Sequence, residues 1–148
     1  MAREEVRTPR LSVQPSPLGG RGVFAERHYA PGELIERAPV LVLPAEQKAH
    51  IAATVLGNYY FEWNETGQGD IAIGLGHASI YNHSYSPTAR YAKNREGLFL
   101  EYRALQPIAP GDEITVNYNG DPRDRAPVWF EPADESAEPP SPLLAPGA

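Results

Sequence analysis

The chain has 148 residues, a length that suits one domain with one hydrophobic core. It contains no cysteine, which excludes disulfides, cysteine-based zinc sites and a thiol nucleophile. The net charge is −6, and residues 131–148 hold four acids and no base. Residues 1–130 hold 13 bases and 15 acids, so their net charge is −2. They contain no basic run that would favour direct nucleic-acid binding.

Both ends of the chain are predicted to lie outside the folded domain, which we place at 10–130. Residues 1–9 are polar and predict a flexible N-terminus without the apolar core of a signal peptide. Residues 131–148 are acidic and rich in proline, which predicts a disordered tail. No stretch is apolar and long enough to span a bilayer. We therefore expect a soluble intracellular protein without a membrane partner, cytoplasmic if the source is prokaryotic.

The composition predicts short strands rather than long helices, because the chain has 16 prolines, 13 glycines and no long run of helix-forming residues at helical spacing. Strands are predicted, in chain order, at 11–13, 22–25, 34–36, 40–43, 59–63, 71–74, 98–102 and 113–118. The run Val-Leu-Val-Leu at 40–43 is continuously apolar, which is typical of a buried strand. The one predicted helix covers 45–57 and ends at Gly57.

Two glycine-rich segments are candidates for ligand binding. At 19–22, Gly-Gly-Arg-Gly allows the backbone to approach a ligand and to present N–H groups to an anion, although an ordinary turn between strands is the more frequent cause. Gly74-Leu75-Gly76 looks like a shortened dinucleotide fingerprint, but residues 80–91 do not predict the helix that this fingerprint requires. We therefore reject a dinucleotide site.

Polar and aromatic residues concentrate at 81–87, Tyr-Asn-His-Ser-Tyr-Ser-Pro, between two predicted strands. Such side chains need partners when they are not solvated, which favours a binding loop over an idle one. His77 and His83 do not predict a metal site, because a third ligand is not evident. Further along, a turn leads into a strand that ends at Tyr118, where a tyrosine is more often a packing residue than a catalyst.

Taken in order, three segments resemble the motifs of SET-domain methyltransferases. Residues 20–25, Gly-Arg-Gly-Val-Phe-Ala, resemble the opening Gly-x-Gly motif of the family. Residues 82–87 resemble its Asn-His-Ser motif, and residues 111–118, Gly-Asp-Glu-Ile-Thr-Val-Asn-Tyr, resemble its Gly-Glu-Glu-Leu-Thr-x-Asp-Tyr motif. Three motifs in the correct order, over roughly 10–120, are far more specific than any one of them. The chain is thus identified as a small family member without a cysteine-rich C-terminal segment.

The resemblance implies a mainly β fold of several short curled sheets, β-clip-like, with a knot-like crossing near the C-terminus. It implies S-adenosylmethionine as methyl donor and a lysine of a protein or peptide as acceptor, a histone being one possible substrate. Tyr118 would be the catalytic tyrosine. The resemblance also implies two groups of binding residues: Gly20, Arg21, Gly22, Asn82, His83 and Trp129 for the cofactor, and Tyr91, Tyr60 and Val116 for the substrate channel.

The sequence departs from the family motifs at three positions. Tyr85 stands in place of Cys, Thr88 in place of Asn, and Asn117 in place of the Asp before the catalytic Tyr. These departures leave an alternative open, a catalytically weak or inactive SET-like module that binds peptide or cofactor. Retention of the other motif residues favours the enzyme. A β-rich ligand-binding or structural protein is a further interpretation, against which the three ordered motifs argue.

Overall fold

The computed structural model describes residues 9–64 and 69–128. Residues 1–8 and 129–148, which contain most of the predicted flexible N-terminus, the whole predicted tail and Trp129, lie outside the described residues. Within the described ranges the strands are β1 (Leu11–Pro15), β2 (Arg21–Ala25), β3 (Leu34–Leu43), β4 (Phe61–Glu62), β5 (Ile71–Gly74), β6 (Asn82–His83), β7 (Ala89–Asn94), β8 (Phe99–Ala104) and β9 (Glu113–Val116). A short helix α1 (Lys48–Ala52) lies between the 3-10 turns Ala45–Gln47 and Val55–Asn58.

The strands form two curled sheets, which confirms the predicted mainly β fold. The first sheet has the order β1-β2-β9-β6, and the second has the order β4-β5-β3-β8-β7. β6 and β9 pair in parallel, with Asn82 opposite Thr115 and His83 opposite Val116, whereas the other named strand pairs are antiparallel. This pair places the Asn-His-Ser segment directly beside the segment that leads to Tyr118. The knot-like crossing itself stays a prediction.

The predicted strands 34–36 and 40–43 are two parts of one continuous strand, β3. Its first part pairs with β8, with a bulge between Leu34 and Glu36, and its second part pairs with β5. The prediction that 40–43 is buried is wrong, because Leu41 is 57% exposed and Val42 is 37% exposed. Successive side chains of a strand point to opposite faces. Within 40–43, the side chain of Val40 packs on the core. Val42 points to the same side but lies beyond the edge of the core.

The segment between β3 and β5 contains less regular structure than predicted. The predicted helix 45–57 is reduced to α1 and its two flanking 3-10 turns, none of which has a buried residue. The predicted strand 59–63 is reduced to β4, because the N–H groups of Tyr59 and Tyr60 bond to the carbonyl of Leu56. These two amides complete the preceding turn and are therefore not available to a sheet.

Two strands, β6 and β7, were not predicted from the sequence. Both are rich in polar residues, and β7 is an edge strand whose side chains include Arg90 and Lys93. Charged residues are common on edge strands, where they discourage pairing with other chains. The predicted strand 113–118 ends at Val116, because the N–H of Tyr118 bonds to a side chain instead of a neighbouring strand.

The core contains three tyrosines that are almost completely buried, Tyr29, Tyr81 and Tyr102. The aliphatic side chains that are fully buried with them are Ile71, Leu100, Ile108, Ile114 and Val23. Each of the three hydroxyls donates a hydrogen bond, as buried polar groups require. No helix within residues 9–64 and 69–128 is long and apolar enough to cross a membrane.

Candidate active site

Tyr118 is held at both ends by the segment that contains the Asn-His-Ser motif. Its backbone N–H donates to Nδ1 of His83 at 3.0 Å, across a sequence separation of 35 residues. Its hydroxyl donates to the carbonyl of Tyr81 at 2.6 Å. Nδ1 of His83 therefore acts as the hydrogen-bond acceptor for this backbone amide. The position of Tyr118 is therefore set by residues 81–83, which the parallel pair of β6 and β9 brings alongside it.

A cavity of about 700 Å³ opens beside Tyr118, and its wall combines aromatic rings with the charged side chains of Glu62, Lys93 and Arg95. Tyr60, Phe61, Tyr81 and Tyr91 contribute to this wall together with Tyr118. The rings of Phe61 and Tyr91 pack edge to face with their centroids 5.4 Å apart. The hydroxyl of Tyr91 donates to the carbonyl of Tyr118 at 3.3 Å. An aromatic cavity of this kind suits an aliphatic side chain that ends in a cationic or amine group.

Burial keeps the hydroxyls of Tyr91 and Tyr118 neutral. It raises the pKa of Tyr91 to about 12. It raises the pKa of Tyr118 further, with additional contributions from Tyr59, Tyr91 and the Glu113 carboxylate. Both pKa values lie above the ordinary value for tyrosine, because the phenolate is poorly solvated in this environment. At neutral pH the two side chains therefore act as hydroxyl groups that can donate and accept hydrogen bonds.

The glycine-rich turn meets the Asn-His-Ser segment through the side chain of Asn82. Its Nδ2 donates to the carbonyl of Arg21 at 3.0 Å and to Oε2 of Glu113 at 2.8 Å. Gly22 allows this close approach, because a Cβ at that position would overlap the Glu113 carboxylate. Gly20 has a φ of 56°, and a Cβ there would meet no atom within 4 Å. The backbone at Gly20 is thus open next to a polar cluster of one amide and one carboxylate.

The structure brings most of the predicted site residues into two adjoining places. Asn82 belongs to the polar cluster, Arg21 and Gly22 contact it, and Gly20 precedes them in the same turn. His83, the next residue after Asn82, binds the N–H of Tyr118. Tyr60 and Tyr91, predicted for the substrate channel, line the aromatic cavity. Val116 lies in the core, 3% exposed, and does not line this cavity.

The residues that depart from the family motifs have local partners. The hydroxyl of Tyr85 donates to the carbonyl of Ala126 at 2.8 Å, and its ring packs edge to face on His83 with centroids 4.4 Å apart. The side-chain amide of Asn117 donates to the carbonyl of Asp124. These contacts attach the segment that follows Tyr118 to the site.

The third departure, Thr88, connects β7 to β9. Its hydroxyl donates to the carbonyl of Glu113 at 3.2 Å and accepts from the N–H of Thr115 at 3.0 Å. Each departure is thus accommodated by hydrogen bonds that hold the strands and loops of the site together.

Two carboxylates of this region, Glu36 and Glu113, were not predicted as site residues from the sequence. Glu36 is buried in β3, and Glu113 binds the side chains of Asn82 and Ser16. A charged residue in a predicted strand of apolar neighbours is the signal that could have identified Glu36. Within residues 9–64 and 69–128, His, Asp and Glu side chains form no group of three that could hold a metal ion.

Comparison with known proteins places these motifs in a family. Residues 20–119 match the family described as the SET domain. A histone-lysine N-methyltransferase of Schizosaccharomyces pombe (strain 972), described as H3 lysine-37 specific, is 34% identical to this chain over 133 residues, which cover 89% of this chain and 84% of that protein.

Solved structures show the same fold. A candidate histone methyltransferase of Plasmodium falciparum aligns with a TM-score of 0.60 and 25% identity, over 75% of this chain and 98% of that one. A humanized mutant of the Chaetomium thermophilum Polycomb Repressive Complex 2, bound to an inhibitor, aligns with a TM-score of 0.62 and 19% identity, over 76% of this chain and 15% of that one. The second likeness concerns the fold alone.

The family match and the curated relative cover all three motifs and most of the two sheets. The geometry agrees with them, because the three motif segments meet around Asn82, His83 and Tyr118. The chain therefore belongs to the SET-domain family and is a protein-lysine N-methyltransferase.

Proposed function

We propose that this protein transfers a methyl group from S-adenosylmethionine to the side-chain amine of a lysine in a protein substrate, with Tyr118 as the catalytic tyrosine. The placement of Tyr118 carries the proposal, since its ring lines the aromatic cavity while its backbone is bound to His83. The Schizosaccharomyces pombe relative is described as a histone-lysine methyltransferase, which supports a histone as the substrate class.

Gly20, Arg21, Gly22, Asn82 and His83 are proposed to hold the methyl donor. The open backbone at Gly20 and the polar cluster beside it suit the amino-acid part of S-adenosylmethionine, which carries an ammonium and a carboxylate. When bound, the donor supplies a methyl group attached to a positively charged sulfur. Trp129, which follows the described residues, is proposed to cover this cofactor.

The aromatic cavity is proposed to hold the lysine side chain. Only the neutral amine has the lone pair that attacks the methyl group, and a free lysine with a pKa of about 10.4 is mostly protonated at neutral pH. The rings of Tyr60 and Tyr91 line the cavity, and burial of the ammonium against them would disfavour its charge and lower its pKa.

Tyr118 is proposed to orient the amine. Its hydroxyl proton is donated to the Tyr81 carbonyl, so its oxygen can accept a hydrogen bond from the lysine N–H. Burial raises the pKa of Tyr118 well above its usual value, so the group acts as a neutral hydroxyl. Holding the amine in line with the donor accounts for much of the rate increase.

Replacement of Tyr118 by Phe tests the proposal. With methyl-labelled S-adenosylmethionine and purified histones, we expect Tyr118→Phe to lower kcat by about 30- to 1,000-fold, by analogy with the loss of one oriented hydrogen-bonding group. Thermal unfolding and calorimetric binding of the donor should stay close to wild type, because the ring is kept. Tyr29→Phe is the matched control, since it removes a buried tyrosine hydroxyl that donates to Arg10.

Two results would contradict the proposal. Equal rates for Tyr118→Phe and wild type would remove the catalytic role of Tyr118. Donor binding without transfer to any protein of a whole-cell extract would instead support a non-catalytic binding module.

A further inference from the structure

Glu36 places a carboxylate in the interior of the protein, only 6% exposed, near the start of β3. Its Oε1 accepts the hydroxyl of Tyr81 at 2.6 Å. Its Oε2 accepts the backbone N–H of His77 at 3.1 Å and lies 3.2 Å from Nδ1 of the same residue. Buried carboxylates require such partners, because their desolvation is unfavourable. Glu36 therefore ties β3 to the segment that leads into the Asn-His-Ser motif.

The segment 75–81 folds closely over this carboxylate. Gly76 has a φ of 61°, and a Cβ at that position would overlap Oε2 of Glu36. The N–H of Leu75 donates to the carbonyl of Pro39 at 2.9 Å, which fixes the start of the segment on β3. At its end, the ring of Tyr81 stacks on Tyr102 with centroids 4.3 Å apart. Glu36 thus lies under a tightly packed turn that ends at Tyr81.

Tyr81 connects this buried carboxylate to the catalytic tyrosine. Its side chain donates to Glu36, and its backbone carbonyl accepts the hydroxyl of Tyr118 at 2.6 Å. A displacement of Tyr81 would change the direction of the Tyr118 hydroxyl and of the oxygen lone pairs that face the cavity. Methyl transfer depends on the alignment of the amine, so the rate is sensitive to small changes of this kind.

A buried carboxylate is a poor means of stabilising a fold, because well-packed apolar residues of similar volume are often as stabilising. What such a group adds is a defined geometry, with directional hydrogen bonds to fixed partners. Glu36 does not line the cavity, and its link to Tyr118 runs through Tyr81. Its position thus points to a role in geometry rather than in contact with substrate.

We propose that Glu36 and Tyr81 are positioning residues for methyl transfer. The Glu36 carboxylate holds the Tyr81 side chain, and the Tyr81 carbonyl in turn holds the hydroxyl of Tyr118. This inference rests on the proposed function of Tyr118 as the catalytic tyrosine. It adds a chain of three residues that runs from the centre of the five-stranded sheet to the reacting group.

Tyr81→Phe and Tyr102→Phe form a matched pair of variants. Both rings are buried, at 1% and 0% exposure, and they stack on each other. The hydroxyl of Tyr102 donates to the carbonyl of Ala78 at 3.4 Å and not to Glu36. We expect Tyr81→Phe to lower kcat by about fivefold or more, with the KM values for donor and histone within about twofold of wild type. Tyr102→Phe should leave kcat within about twofold.

A second measurement does not depend on turnover. In protein labelled with ¹³C at the tyrosine Cζ, the Tyr118 resonance is assigned by its loss in Tyr118→Phe. We expect this resonance to shift in Tyr81→Phe, because the hydrogen bond from Tyr81 to Glu36 is lost. We also expect a shift in Glu36→Gln, because the glutamine amide would direct a donor toward the N–H of His77, which is itself a donor. Tyr102→Phe should leave it in place.

Equal effects of Tyr81→Phe and Tyr102→Phe on both kcat and the Tyr118 resonance would overturn the positioning role. A rise in KM with an unchanged kcat in Tyr81→Phe would overturn it as well. A wild-type protein without transferase activity would overturn the proposed function instead. In that case the Tyr118 resonance still shows whether Glu36 and Tyr81 determine the direction of the Tyr118 hydroxyl.

Discussion

At the scale of single residues, Tyr91 and Tyr118 differ in how firmly their hydroxyls are held. The Tyr118 hydroxyl makes a short bond of 2.6 Å to the Tyr81 carbonyl. The Tyr91 hydroxyl makes a longer bond of 3.3 Å to the Tyr118 carbonyl, near the limit for a hydrogen bond. The Tyr91 hydroxyl can therefore exchange its partner for a ligand more easily than the Tyr118 hydroxyl can.

Tyr91→Phe is expected to reduce the rate less than Tyr118→Phe and to raise the share of more highly methylated product. The ring should stay in place, because it packs on Phe61 and Tyr102. Loss of the hydroxyl removes a group that would exchange its long bond to the Tyr118 carbonyl for one to the amine, and it leaves space for an additional methyl group. Mass spectrometry of the methylated substrate measures this distribution at equal total conversion.

The comparison with Tyr118→Phe serves as the control for this experiment. An unchanged product distribution, together with a rate loss as large as that of Tyr118→Phe, would show that Tyr91 does not control the space around the amine.

At the scale of elements, β3 connects the two halves of the five-stranded sheet and carries both an exposed and a buried surface. It pairs with β8 along its first part and with β5 along its second part. The buried side chains on it include Glu36, whereas Leu41 is largely exposed. The same strand therefore supports the active site near its start and lies at the surface near its end.

Leu41→Ala and Leu100→Ala should differ strongly in their effect on stability. Leu41 is 57% exposed, so its truncation should change the free energy of unfolding by less than about 0.5 kcal/mol. Leu100 on β8 is 0% exposed, and its truncation leaves a cavity that should reduce the free energy of unfolding by about 2–5 kcal/mol. Urea denaturation followed by tryptophan fluorescence measures both values. A similar loss in the two variants would indicate that another molecule or another part of the chain covers Leu41 in solution.

At the scale of the whole molecule, the core and the candidate site are built from one set of buried tyrosines. Five tyrosines have pKa values raised by burial: Tyr29, Tyr81, Tyr91, Tyr102 and Tyr118. In each case burial is the largest cause, because it disfavours the phenolate. The folded state therefore depends on these hydroxyls remaining protonated.

The free energy of unfolding should fall steeply above a pH of about 10. Below the pKa of tyrosine in the unfolded chain, about 10, the stabilisation is fully present. Above it, the unfolded state releases protons that the folded state retains. The free energy of unfolding therefore falls as the pH rises toward the raised pKa values, by up to about 1.4 kcal/mol per pH unit for each tyrosine. Urea titrations between about pH 8 and pH 11.5 measure this slope.

Tyr102→Phe should make that slope shallower, since it removes one buried group that titrates. Ultraviolet absorption of the folded protein gives an independent check. Phenolate formation by all tyrosines near pH 10, with the fold intact, would contradict the predicted burial effect.

The class of fold and the family are visible in the sequence alone. Turns at glycine and proline, short apolar segments and three ordered motifs are local features, so they are visible without any knowledge of tertiary contacts. The β1, β2 and β5 segments were predicted for this reason, and the structure confirms them. The grouping of Asn82, His83 and Tyr118 followed only from the resemblance to a family, because no local pattern connects residues so far apart.

The burial of β3 and the positions of β6 and β7 depend on tertiary packing and were not predicted. The apolar residues at 40–43 do not show which side of the sheet the core covers, and the polar residues of β6 and β7 conceal their strand character. The bond from Glu36 to Tyr81 joins positions 45 residues apart. Such contacts depend on the three-dimensional packing of distant segments, which a single sequence does not display.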